Sequence, residues 1–179
     1  MRRQIVDVVK MEQLIHFHKV NVRVGVACAL LSLILIYCLL TNKNFKRRQR
    51  LIITLAFADL ANTIGILMMG MDRINLYTNV LSTRTMSVSE TSWSCALEPW
   101  LFVRTIGDLW PPIVQCLMGT EQLMTALSGF RSRYRSDVLM IFSVVFVVAF
   151  LVLGYVAAFQ SRNDGVVMYY CGRKAAFGK

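Results

Sequence analysis

One carboxylate, Asp59, stands in the middle of twenty otherwise uncharged residues, Leu51–Gly70 (LIITLAFADLANTIGILMMG). On a helix, Asn62 and Thr63 fall three and four residues further on, on the same face, and make a polar notch in an oily cylinder. A carboxylate at the middle of a bilayer costs about 2.5–3.5 kcal/mol on an insertion scale, so Asp59 is expected to face a protein interior. Two roles fit equally well: a carboxyl hydrogen-bonded between helices for packing, or a cation or proton site that switches that packing. A second polar pair, Arg104 and Asp108, has i,i+4 spacing, close enough for mutual neutralisation. His16 and His18 form an HxH pair. A helix points alternate residues to different sides and no third ligand lies near, so a solvated tail, and no metal site, is expected. Ser, His and Asp are present, but no nucleophile–base set, phosphate-cradling glycine loop or paired catalytic carboxylates can be found. Neither an enzyme nor a cofactor is expected.

The elements that must hold these residues are apolar blocks. The chain has 179 residues, 56% of them hydrophobic, with a mean hydropathy of +0.53. A soluble domain would hold about 45–50% apolar residues, spread along its length. Twenty residues at 1.5 Å each cross a hydrocarbon core of about 30 Å. The expected fold is therefore all-α, an integral membrane bundle of four transmembrane helices with spans at about 23–41, 51–70, 95–127 and 138–159. Tails 1–22 and 160–179 flank this region, and the Ser- and Thr-rich residues 71–94 read as a loop. The third span is the weakest. It carries Glu98, Arg104, Asp108 and Glu121, and Pro111-Pro112 should kink it. Residues 138–159 are the clearest span, twenty-two residues without a charge.

Net charge is +10. No zinc spacing or RNA-binding signature accompanies it, so membrane lipids, not nucleic acid, are the expected partners. The stretches 41–50 and 128–137 hold eight Lys and Arg in twenty positions, which places them in the cytoplasm and both tails outside. Cys28, Cys38 and Cys116 lie inside apolar blocks and read as small hydrophobes. Cys95 and Cys171 lie outside the spans, on the same side, and suit a disulfide in an oxidising compartment. Trp93, Trp100 and Trp110 read as interfacial or packing aromatics. The product is expected as a multi-pass protein of the plasma membrane if exported, and otherwise of the endoplasmic reticulum.

LAFADL at 55–60 resembles the second-helix LAxAD motif of rhodopsin-like G protein-coupled receptors, and it follows the first span after one short basic loop, as in that family. Cys95 resembles the family's cysteine at the outer end of helix three, and Cys171 its partner after helix four. GTEQLMTAL at 119–127 is similar to the end of helix three, particularly in the nematode serpentine chemoreceptors, and FRSRYRSD at 130–137 suits the basic stretch into helix four. The resemblance runs from about residue 24 to 171. It implies helices one to four of a seven-helix receptor that detects an external chemical and signals to a G protein. Asp59 becomes a conformational ion site, Arg104 and Asp108 ligand-facing residues, and Glu121-Gln122 a remnant of the acidic-Arg motif facing the G protein. Gln122 stands where the family has arginine, and residues 138–159 lack the helix-four tryptophan. A chain truncated after the fourth helix is not expected to signal alone; full-length receptors of the same family are the implied partners. The alternative from another class is a self-sufficient four-helix membrane protein, a small carrier or scaffold.

Overall fold

The structure is a computed structural model, and it describes residues 8–42, 50–83, 92–128 and 133–160. All of them but Asn42, Leu97 and Glu98 are helical, with no strand among the described residues. The helices are α1 (Val8–Thr41), α2 (Arg50–Thr83), α3 (Ser92–Ala96), α4 (Pro99–Ser128) and α5 (Arg133–Gln160). Three are long and apolar enough to cross a membrane: Met11–Thr41, Arg50–Thr83 and Asp137–Gln160. The fourth long helix, α4, reaches 30 residues, but Arg104, Asp108, Glu121 and two prolines keep it below that apolarity. Of the four expected spans, three are thus carried by composition.

The helices overrun the expected spans, and packing explains why. α1 begins at Val8, inside the expected tail 1–22, and α2 continues to Thr83, well into the expected loop 71–94. The two extensions support each other. Met11 buries against Tyr77 and Val80, with Ile15, Leu76 and Leu81 around them. Hydropathy over a span does not register such an amphipathic extension, which is stabilised by its partner rather than by lipid. The expected third span, 95–127, is divided at Leu97 and Glu98. Pro99 then opens α4, a position where its missing N–H costs nothing. The Glu98 carbonyl accepts bonds from the Leu101 and Phe102 amides at 3.0 and 3.3 Å. Pro111 and Pro112 lie within α4, which continues through both.

α2 is the central helix, packed against α1 along one side and α4 along another, while α5 lies against α4 and α2. Glycines set the approach. A Cβ added at Gly25 would come 2.8 Å from the Leu67 side chain, and one at Gly70 would come 2.7 Å from Val22. The α2–α4 contact is closer still and involves backbone. A Cβ at Gly65 would lie 2.7 Å from the Arg104 Cα, and one at Gly107 would lie 2.2 Å from the Asn62 Cα. Between helices in lipid, small residues permit the close van der Waals contact that replaces a hydrophobic driving force.

The two ends of the bundle differ. At one, Arg50 pairs with Asp137, joining the N-termini of α2 and α5. The two arginine-rich stretches therefore lead into the same end. At the other, Cys95, Ala96, Trp100, Leu101 and Ala158 form a buried cluster, and Trp93 meets Phe159 edge-on with ring centroids 5.3 Å apart. The outer faces of α1 and α5 are oily, with Leu31, Ile34, Ile141 and Leu153 each at least 60% exposed. Such a continuous apolar exterior suits hydrocarbon rather than water.

Gly107→Ala is expected to force α2 and α4 apart and cost about 1–3 kcal/mol, the usual penalty of overpacking. Gly119→Ala, where a Cβ meets nothing within 4 Å, should instead leave stability unchanged or raise it. Thermal unfolding of the two variants in detergent measures the difference.

Candidate functional site

The polar residues of α2 do not close into a single notch. Asn62 turns to α4, where its Oδ1 accepts a bond from the Arg104 Nη1 at 3.3 Å. Thr63 donates its hydroxyl to the Asp59 backbone carbonyl at 2.8 Å, the usual way a helical threonine satisfies itself. Asp59 is exposed, and among the described residues its carboxylate has no hydrogen-bond partner. The expectation that Asp59 faces a protein interior is therefore not met within these helices, and the grouping Asp59, Asn62 and Thr63 is divided.

The position of Asp59 is nonetheless specific. Three residues earlier, Ala56 packs with Ile36 and Leu39 of α1. Three residues later, Asn62 meets Gly107 of α4. A step of three residues turns a helix by about 60° short of a full circle. Asp59 thus occupies the strip of α2 between its α1 and α4 contacts, which the described helices leave uncovered.

Arg104 and Asp108 do meet, as their spacing requires. The guanidinium makes a forked pair with the carboxylate, Nε to Oδ2 at 3.1 Å and Nη2 to Oδ1 at 3.0 Å. Both side chains are mostly covered, at 21% and 17% exposure. The fork uses the planar geometry that makes Arg–carboxylate pairs strong, and its remaining edge reaches Asn62 across the helix crossing. The three side chains form a polar seam beside Gly65 and Gly107. The seam neutralises charge inside an apolar contact and ties α4 to α2. Sequence spacing identified the pair but not Asn62 as its third member. The available signal was a glycine on each of the two facing helices.

A second polar contact joins Arg73, from the expected loop 71–94, to Trp100 of the expected third span. Arg73 is buried at 6% exposure and lies over the Trp100 ring, 5.0 Å from its centroid, a cation–π contact strengthened by burial. Nearby, His18 sits against Tyr77 with ring centroids 5.8 Å apart, and its Nδ1 is buried without a hydrogen-bond partner. His16 is exposed, so the HxH pair is divided between two environments.

Cys95 is fully buried in the end cluster, while Cys171 lies outside the described residues, and so does the pairing expected between them. Cys28, Cys38 and Cys116 are free and exposed. Glu121 is buried at 8% exposure and Gln122 is exposed, so the two halves of that pair face different surroundings. The Trp110 indole donates to Ser143 of α5 at 3.4 Å. No protein-family model, no curated protein and no solved structure matches the chain.

Asp108→Leu is expected to lower the unfolding midpoint sharply, because it leaves the Arg104 charge covered and unpaired. The double variant Arg104→Met/Asp108→Leu should recover more than half of that loss. Midpoints for the four proteins of the cycle, measured in one detergent, give the coupling, and a double variant as unstable as the single would contradict the seam as described.

Proposed function

We propose that the chain is a receptor-type membrane protein, its four long helices α1, α2, α4 and α5 serving as helices one to four of a rhodopsin-like chemoreceptor of the nematode serpentine kind. The observation that carries this reading is the setting of LAFADL. The motif lies on the central helix, and its aspartate occupies a strip between the α1 and α4 contacts that the described helices do not cover. A carboxylate at that depth, open to lipid, is costly. Further protein over the strip relieves the cost, either more helices of a receptor bundle or a full-length receptor held against this one.

Other features support the same assignment. Cys95 is buried at the bundle end opposite the Arg50–Asp137 pair, which suits a cysteine on the outer side. The basic stretches lead into the other end, as cytoplasmic loops would. An indole does lie against α5, but Trp110 of α4 supplies it, in place of the tryptophan that the resemblance asks of helix four. In this reading the Arg104–Asp108 pair lies on the side open to an external chemical, and Glu121-Gln122 on the side of a G protein. Gln122 lacks the cation that such coupling uses, so this chain contributes ligand contact or receptor association more readily than signalling.

Two experiments test it. Epitope tags at either terminus should be accessible on intact cells, whereas a tag inserted after Asn42 should require permeabilisation; the reverse pattern sinks the assignment. Coexpression with an intact serpentine receptor should change that receptor's surface number and allow co-purification. If neither changes, and the purified chain instead moves a substrate across vesicles, the carrier reading takes its place.

A further inference from the structure

Between α2, α4 and α5 lies an apolar groove of about 360 Å³, separate from the polar seam. Thr54 and Phe57 line it from α2, Trp110 from α4, and Met140, Ile141 and Val144 from α5. Its few polar atoms are already engaged. The Thr54 hydroxyl donates to the Arg50 carbonyl at 3.0 Å, the Trp110 N–H to Ser143, and the Ser143 hydroxyl to the Met140 carbonyl at 2.7 Å. The groove therefore offers a polar molecule little to bind, and desolvating one there would be unfavourable.

One rim is charged. Arg50 lies one turn before Thr54, and Asp137 three residues before Met140, so their ion pair sits about one 5.4 Å turn from the groove. Each of these side chains remains about a third exposed, at 32% and 34%. Seven other Lys and Arg residues lie in the sequence at 43–48 and 131–135, which lead into this end. The N-termini of α2 and α5 add the positive ends of two helix dipoles. An oily slot beside an ion pair, at the end into which the basic stretches of the sequence lead, matches a molecule with an apolar chain and an anionic head.

We propose that the groove seats one acyl chain of an anionic phospholipid, whose phosphate lies at the Arg50 rim. The inference rests on the reading that the chain spans a membrane, and not on receptor ancestry. The charge at the rim distinguishes this occupant from a sterol or a neutral lipid, which would use the groove alone.

Trp110 is a built-in reporter of the groove. The full chain is reconstituted in phosphatidylcholine vesicles containing a rising fraction of phosphatidylserine brominated along its chains. The converse series places brominated phosphatidylcholine in phosphatidylserine. Subtracting the signal of Trp110→Phe isolates the quenching of Trp110. Brominated phosphatidylserine is expected to reach half-maximal quenching at a mole fraction about five-fold lower than brominated phosphatidylcholine. Arg50→Gln should bring the two curves together, Arg50→Lys should keep most of the difference, and Val144→Phe should weaken quenching of Trp110 by either lipid. Coincident curves for the unaltered chain would mean ordinary annular lipid and overturn the proposal. So would displacement by an equal fraction of cholesterol, which marks a sterol groove, or quenching of Trp93 and Trp100 without Trp110, which marks a groove covered by protein. If no tryptophan is quenched by either lipid, the failure lies with membrane insertion itself.

Discussion

The bundle depends on how closely α2 and α4 approach. At Gly107 the Asn62 backbone fills the space that any side chain would need, and at Gly65 the Arg104 backbone does the same. This contact brings a guanidinium, a carboxylate and an amide together at the crossing. Their mutual satisfaction makes the polar seam tolerable in an apolar setting. Move the helices apart by the width of a methyl group and Arg104 loses Asn62 while α4 keeps its charges. The least apolar long helix is thus held by its tightest backbone contact.

The same helix that anchors the bundle also carries its least satisfied group. Three sides of α2 are one on α1 through Gly70 and Leu67, one on α4 through Gly65 and Asn62, and between them the strip with Asp59; a further side lies against α5. The first two are matched by complementary surfaces. The third presents a carboxylate with no partner among the described residues. A packed, neutralised seam and an open, charged strip thus lie a turn apart on one helix.

The ends of the molecule divide by chemistry. One gathers Cys95, the rings of Trp93, Trp100, Tyr155 and Phe159 and the covered Arg73, and the other an ion pair between helix N-termini that follow strongly basic stretches in the sequence. The apolar groove begins next to the second end, so its contents and its rim differ in polarity over a single helical turn. An interface between oil and charged water has the same gradient, which links the proposed lipid to the proposed orientation.

Much of the architecture was legible in the residues themselves. Uninterrupted apolar runs determine helices in a medium without hydrogen-bonding partners, and the i,i+4 spacing of Arg104 and Asp108 determines that they meet. The charge-free stretch of α5 and the single carboxylate of α2 need no neighbours to be recognised. What only the tertiary structure decided is which polar groups share a partner and where helices stop. Asn62 went to Arg104 rather than to Asp59, because a backbone crossing at glycine brought α4 within reach. α1 and α2 lengthened past their oily cores because Met11, Tyr77 and Val80 bury one another. Arg73 became a buried cation stacked over Trp100, twenty-seven residues away in the chain. Each of these outcomes is a contact between distant segments, and the free energy of such a contact belongs to neither segment alone.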